Sequence, residues 1–210
     1  MTLKLIGSSS GHTSIDAPAT AGSNTLVLPP NNGTAGQILQ TDGNGNLSWV
    51  TPGVAMADQW RRTATLNTSG GENFLTSDWE RVDGSGQGTY IPDGGMSESG
   101  GIFTFPMTGI YKVEWQAYAE DTNASAVNAI NIYITTDNSS YSNRSSSLFS
   151  IPDGLGTYEY GCAHTQTLVD VTNTSQVKVK FRVYSSGGLS WDVSSAENRN
   201  CATFTRIGNT

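Results

Sequence analysis

Residues 101–120 read GIFTFPMTGIYKVEWQAYAE, and their reading decides the fold. Beyond Thr108-Gly109 the residues alternate. Tyr111, Val113, Trp115 and Ala117 fall on one side of an extended chain; Lys112, Glu114 and Gln116 fall on the other. Before it, residues 102–107 are apolar and β-forming. A Thr-Gly pair between two such runs predicts a β-hairpin with strands over 102–107 and 110–120. Ile102, Phe103, Phe105 and Tyr118 then place apolar groups on both faces of it, where an antiparallel sheet with one wet face would alternate more cleanly.

Outward from this hairpin the strand signals continue. Residues 59–66 and 79–82 precede it, separated from it by a glycine-rich loop over 84–101. After it come 129–135, with Ile130, Ile132 and Ile134 on one face, then 158–171. Residues 176–184 place Val177, Val179, Phe181 and Val183 inward and Lys178, Lys180 and Arg182 outward, and 202–207 follow. About eight strands with polar turns, and no segment of helical period, predict an all-β antiparallel sandwich or jelly roll.

Composition agrees. Charged residues make up 14% of the 210-residue chain, and Ser, Thr, Asn and Gly take up the difference; these residues favour turns and strand faces over helix interiors. The net charge is −7 and no basic block exceeds Arg61-Arg62, which argues against a nucleic-acid partner. No apolar run approaches the roughly 20 residues of a membrane helix, so no membrane insertion is expected. Residues 1–15 lack an apolar secretory core, which points to synthesis in a cytoplasm.

The chemistry changes near residue 56. Before it the only charged side chains are Lys4, Asp16 and Asp42, and Pro18, Pro29, Pro30 and Pro52 punctuate the chain. Residues 1–56 are therefore expected to form an extended attachment segment, and 57–210 a globular head. Within the segment, residues 25–28 suggest a brief strand ended by Pro29-Pro30. Residues 37–41 and 46–50 flank Asp42-Gly43-Asn44-Gly45, a strong hairpin signal. A lone hairpin is marginal in water, so its apolar side chains need cover. Leu26, Val27, Leu28, Ile38, Leu39, Leu47 and Trp49 are the expected docking residues.

Three stretches carry a resemblance. GIFTFPMTGIYKVEW, with Phe103, Gly109 and Tyr111, resembles a strand–turn–strand of the trimeric heads of complement and tumour-necrosis-factor type. TLVDVTNTSQVKVKFRVYSSGG resembles the next-to-last strand pair of those heads, and CATFTRIG resembles the closing strand, with Phe204 as its aromatic. Arg206 stands where a small residue usually follows. The resemblance spans roughly residues 57–210. It implies a jelly roll that forms homotrimers through the outer face of one sheet, with Ile102, Phe103, Phe105 and Tyr118 as candidate contacts. In that topology Cys162 and Cys201 lie on strands separated by a third. Their Cα atoms would stand about 10 Å apart, beyond the roughly 7 Å that a disulfide spans, so free thiols are expected. Separately, GTAGQILQTDGNGNLSWV, after Thr-Leu-Val-Leu-Pro-Pro, resembles modules of phage tail fibres and other virion structural proteins over residues 20–52.

Candidate chemistry is sparse. Residues 42–46 imitate the start of a calcium loop, but Leu47 replaces the glycine such a loop needs and Gly53 its final Glu. No metal or cofactor site is expected. Glu72, Asp78, Glu80 and Asp83 are the carboxylates that could flank a sugar, and solvated strand ends explain them equally well. His12 and His164 are the only histidines; His164 and Cys162 lie two apart on one strand face, a parallel placement poorly suited to mutual activation. No catalytic residues are assigned and no enzyme activity is expected. Loop aromatics among polar residues suit surface recognition: Trp60, Tyr90, Tyr158 and Tyr160 are of this kind, and Tyr141, Asn143, Arg144 and Trp191 are the leading candidates. The expectation is a trimeric virion fibre or decoration protein on capsid or tail, exposed on the particle surface. Its N-terminus would dock to other virion proteins and its head would meet host-surface glycan. A polysaccharide depolymerase at a tail tip and a bacterial adhesin are the alternatives.

Overall fold

A computed structural model describes residues 3–50, 53–82, 86–92, 94–121, 125–152, 159–194 and 197–210. They fall into two units, Met1–Pro52 and Gly53–Thr210.

The N-terminal unit holds two hairpins, β1 (Leu3–Ile6) with β2 (His12–Ile15) and β3 (Ile38–Thr41) with β4 (Leu47–Val50). The β3–β4 turn explains itself chemically. The Asp42 carboxylate accepts the backbone N–H groups of Asn44 at 2.8 Å and Asn46 at 3.1 Å, and the Asn46 amide at 2.7 Å. The Asn46 side chain first, then the N–H of Asn44, holds Asp42 below the usual carboxylate range. Residues 25–28 do not form the expected strand. Val27 alone bridges to Asn46, in parallel, with the Leu47 N–H donating to the Val27 carbonyl at 2.8 Å. Pro29 and Pro30 have no N–H with which to extend that ladder. Gly45 permits the approach: a Cβ there would lie 2.2 Å from the Thr25 carbonyl oxygen.

The second unit is a jelly roll of two antiparallel sheets, and no described residue is helical. Its strands are β5 (Met56–Arg62), β6 (Leu66–Thr68), β7 (Gly71–Phe74), β8 (Trp79–Arg81), β9 (Ser97–Ser99) and β10 (Ile102–Thr104). The long strands β11 (Gly109–Asp121), β12 (Ser125–Thr135), β13 (Ser142–Ile151) and β14 (Glu159–Val171) follow, then β15 (Lys178–Ser185), β16 (Leu189–Trp191) and β17 (Cys201–Gly208). One sheet runs β6-β16-β11-β17-β5-β8, with β14 also paired to β11; the other runs β13-β12-β15-β10-β9, with β7 also paired to β15.

Residues 101–120 are two strands, as expected, but not a hairpin. β10 pairs with β9 and β15, whereas β11 lies in the opposite sheet between β14 and β17. The reason is local. Pro106 removes a ladder donor just after β10, and the chain crosses the core edge over 105–108. The Tyr111 hydroxyl donates to the Met107 carbonyl at 2.9 Å and the Phe105 and Tyr111 rings meet at 4.6 Å, which fixes the crossing. Phe103 and Tyr111 therefore enter the core from two different sheets. The strand over 142–151 was not foreseen: its Ser-rich sequence SNRSSSLFSI carries little apolar alternation. Where Arg206 replaces a small residue, the β11–β17 register slips between Ile110 and Tyr111, and the Arg206 guanidinium donates to the Thr108 carbonyl at 2.9 Å.

The core is aromatic at its centre. Phe103 meets Trp60, Trp79, Phe181 and Phe204 at centroid distances of 5.1–5.6 Å. The inward residues of β11, β12 and β15 join it, fully buried. Charged side chains of β5 enter this side of the sheet as well, Asp58 and Arg62 among them. Asp58 is buried, and its carboxylate accepts from the Arg81 guanidinium at 3.0 and 3.1 Å, the Met96 N–H at 2.8 Å and the Trp60 indole at 3.1 Å. It thereby ties β5, β8 and the end of the glycine-rich loop together. Removing one partner of such a pair strands the others, so Asp58→Ala is expected to cost about 3 kcal/mol in denaturant unfolding of the full chain. The double change Asp58→Leu with Arg81→Leu should cost less; an equal or greater loss in the double variant would contradict this account.

Candidate functional site

Strand alternation sets the outer face of the seven-stranded sheet. Tyr111, Val113, Trp115, Ala117 and Ala119 point into the core, which sends Lys112, Glu114, Gln116 and Tyr118 outward from β11. On β14 the same phase exposes Tyr160, Cys162, His164, Gln166 and Leu168. Tyr118 and Tyr160 stack at 5.6 Å with planes 26° apart, and Arg199 covers Tyr118 at 4.9 Å. Burial raises the Tyr118 phenol above its usual range. Gln116 donates to the Asn198 carbonyl, and with Cys162, His164 and Arg199 these groups line a cleft of about 530 Å³. Glu114 accepts from Lys112 at 2.8 Å and lies 3.6 Å from His164.

Cys162 and Cys201 are free, as expected, and stand on β14 and β17 with β11 between them. Cys162 is exposed; Cys201 is buried, which pushes its thiol up to about 11.

The candidate trimer contacts separate. Phe103 and Phe105 are core residues with no surface to offer. Ile102 is partly exposed on the six-stranded sheet and Tyr118 lies on the other, so the four cannot share one interface. Leu168 and Ile207 are unforeseen apolar groups on the outer face, Leu168 63% exposed, and Tyr160, expected on a loop, stands on β14 beside them. Leu168 sits in the outward phase of residues 158–171, and that displacement is the signal that was readable.

The recognition candidates also divide. Trp191 is 2% exposed on β16 and packs edge-on against Phe149 at 5.8 Å, so it belongs to the core. Tyr141 is half-buried just before β13, Asn143 pairs with Tyr133, and Arg144 is exposed at the bulge beside it. Of the other aromatics, Tyr90 and Tyr160 are exposed, Trp60 packs on the core, and Tyr158 lies outside the described residues.

Three of the four carboxylates that might have flanked a sugar face a guanidinium. Asp78 lies 3.6 Å from Arg62, Glu80 is 2.5 Å from Arg61, and Glu72 pairs with Arg182. Asp83 lies outside the described residues. His12 is exposed on β2. Among the described residues no cluster of metal-ligating side chains occurs.

In the N-terminal unit Leu26, Val27, Leu28, Ile38 and Leu39 are exposed, Leu26 by 66%. Leu3, Leu5, Ile6 and Ile15 are exposed on the β1–β2 hairpin as well. Leu47 and Trp49 are half-buried, and the Trp49 indole donates to the Asn31 carbonyl at 2.8 Å. Gly33 lies under that ring, where a Cβ would come within 2.7 Å of it. Pro29, Pro30 and Trp49 line a cleft of about 440 Å³ in this unit.

No family model matches the sequence, and no curated protein does. Solved structures do resemble it. Murine APRIL superposes with a TM-score of 0.52 at 11% identity, covering 72% of this chain and 98% of that one. Eiger TNF from S. frugiperda gives 0.56 at 11% identity, covering 74% and 94%. The likeness is one of fold. It agrees with the jelly-roll architecture that residues 57–210 suggested.

The buried Cys201 thiol gives a direct check of this face. With its pKa raised, the reactive thiolate is suppressed throughout the neutral range. At pH 8 Cys201 is expected to alkylate on the order of 100-fold more slowly than an ordinary cysteine, and to react freely once the chain unfolds. Peptide mass spectrometry reads both rates, and fast labelling in the folded protein would contradict the placement.

Proposed function

We propose that the protein is a structural component of a phage particle: a trimeric fibre or decoration protein on capsid or tail. Its N-terminal unit docks to other virion proteins, and its jelly-roll head is displayed at the particle surface for adsorption to host glycan. One observation supports the docking role above the others. The N-terminal unit leaves Leu26, Val27 and Leu28 uncovered beside a two-stranded hairpin, and Ile38 and Leu39 uncovered on it. Apolar side chains concentrated this way mark an interaction surface, and an isolated hairpin needs such cover to persist. The resemblance of residues 20–52 to phage virion modules supports the same reading.

Trimerisation is supported by the outer face of β14, β11, β17 and β5. Tyr160, Leu168, Tyr118, Ile110 and Ile207 place apolar surface there, on long strands whose other side is the core. A copy of the same face would cover it. Three linked N-terminal units then bind a particle far more tightly than one, because the second and third engage at high effective concentration.

Two measurements test the reading. Light scattering of the full chain is expected to return three times its 22.3 kDa mass, and Leu168→Lys to return a single chain; a wild-type monomer overturns the trimer. Purified particles are expected to contain the protein by mass spectrometry, and Leu26→Asp with Leu39→Asp to remove it from them without lowering the melting temperature of the head. Absence of the wild-type protein from particles overturns the virion role.

A further inference from the structure

The outer side of the six-stranded sheet gathers basic side chains. On a chain of 11 basic and 18 acidic residues, β15 sends Lys178, Lys180 and Arg182 to the outer side of the six-stranded sheet, since Val179, Phe181 and Val183 between them are buried. Arg144 is exposed on β13, on the far side of β12 from β15. Among the described residues the only carboxylate bonded to these four is Glu72, on Arg182. Asp137, at the end of β12, is turned into its own loop, where it accepts from Thr135, Ser139 and Ser140. Lys178 donates to the Thr104 hydroxyl at 2.9 Å.

Lys180 is the unusual member. Its ammonium lies 4.0 Å from the centre of the Phe74 ring and 4.1 Å from that of Tyr141. Ring faces attract a cation but bring no counter-charge. Burial between them lowers the proton affinity of Lys180, the mark of a charge held without full compensation. Aromatic surface continues beside it: Tyr133 lies opposite Lys180 in register and meets Phe74 edge-on at 5.1 Å, and Arg182 covers Tyr133 at 4.9 Å. Asn143 closes the row on the other side of Tyr133.

Resting on the adsorption role above, we infer that this face is the glycan-binding surface of the head, and that its ligand is an acidic polysaccharide carrying carboxylates. Outward residues along one strand repeat at about 7 Å, so Lys178 and Lys180 present two cations one repeat apart along which a linear sugar chain can lie, while Arg182 is buried and engaged with Glu72 and Asn131. The exposed part of the Phe74 ring offers an apolar patch for a sugar ring beside those cations. Arg144, Lys178 and Lys180 meet the carboxylates, and Asn143 offers an amide for hydroxyl groups. A neutral polymer would satisfy the apolar patch and leave the charges unmet.

The experiment measures binding of the full chain to polygalacturonate, to its fully methyl-esterified form and to single-stranded DNA. The acidic polymer is expected to bind at low ionic strength and to weaken as salt rises. The esterified polymer should bind at least about tenfold more weakly. Lys180→Gln and Arg144→Gln together should lower affinity about tenfold, as two exposed charge pairs of ordinary strength would. Lys4→Gln should leave it unchanged, and Lys180→Arg should retain it, which separates lost charge from lost packing. Equal binding of both polysaccharide forms, no binding of either, an unaffected double variant, or DNA binding as tight as polygalacturonate would each overturn the assignment. Failure here leaves the virion role standing if particles contain the protein. Absence from particles removes that role while a charge-dependent polymer result stands on its own.

Discussion

Phe103 is the constraint on which the head depends. It sits on the three-residue strand β10, yet its ring meets Trp60 from β5, Trp79 from β8, Phe181 from β15 and Phe204 from β17. Those partners come from both sheets. Two sheets pack about 10 Å apart only if side chains from each interdigitate, and this cluster does so at the point where the chain changes sheet. The crossing over 105–108, the outward phase of β11 and the exposed face of β14 all follow from it. A short strand with an ordinary local sequence thus sets which surfaces remain for function.

Much of this architecture was legible because alternation is a local property. Val177, Val179, Phe181 and Val183 read as inward and are buried; Ile130, Ile132 and Ile134 likewise. Pairing is not local, and there the reading of residues 101–120 went astray. Nothing in Thr108-Gly109 distinguishes a turn within one sheet from a crossing between two. The difference lies in Pro106 and in the partners that β10 and β11 find far along the chain. β13 escaped notice because a Ser-rich strand needs few apolar contacts when one of its neighbours supplies the ladder. Trp191 misled for the opposite reason: Gly187-Gly188 suggests a loop, but the tryptophan ends a buried strand.

The functional surfaces were legible in part. Leu26, Val27, Leu28, Ile38 and Leu39 stand exposed where the sequence pointed, whereas Leu47 and Trp49 are half-buried within their own unit. On the head, Arg144 and Asn143 are at the surface, whereas Lys180, Phe74 and Tyr133 come together only through the pairing of β15 with β7 and β12. Their separation in sequence hides the row. The same holds for Leu168, whose meaning depends on knowing that the inward phase of β14 belongs to Ala163, Val169 and Val171. Periodicity gives the phase of a strand, and only the tertiary partner says which phase is buried.

β17 lies in the middle of its sheet, between β11 and β5, although β5 opens the head and β17 closes it, with Gln59 opposite Thr203. Closing so long a loop carries an entropic cost that nearby contacts cannot offset early. Topologies of this kind fold slowly and expose sheet edges while they wait. Until β17 is made, β5 has only β8 as a ladder partner among the described strands, and the edge of β11 opposite β14 lacks the strand that joins it to β5. The sheet is therefore completed only when β17 arrives, and the chain is most vulnerable to intermolecular strand pairing in the interval before it.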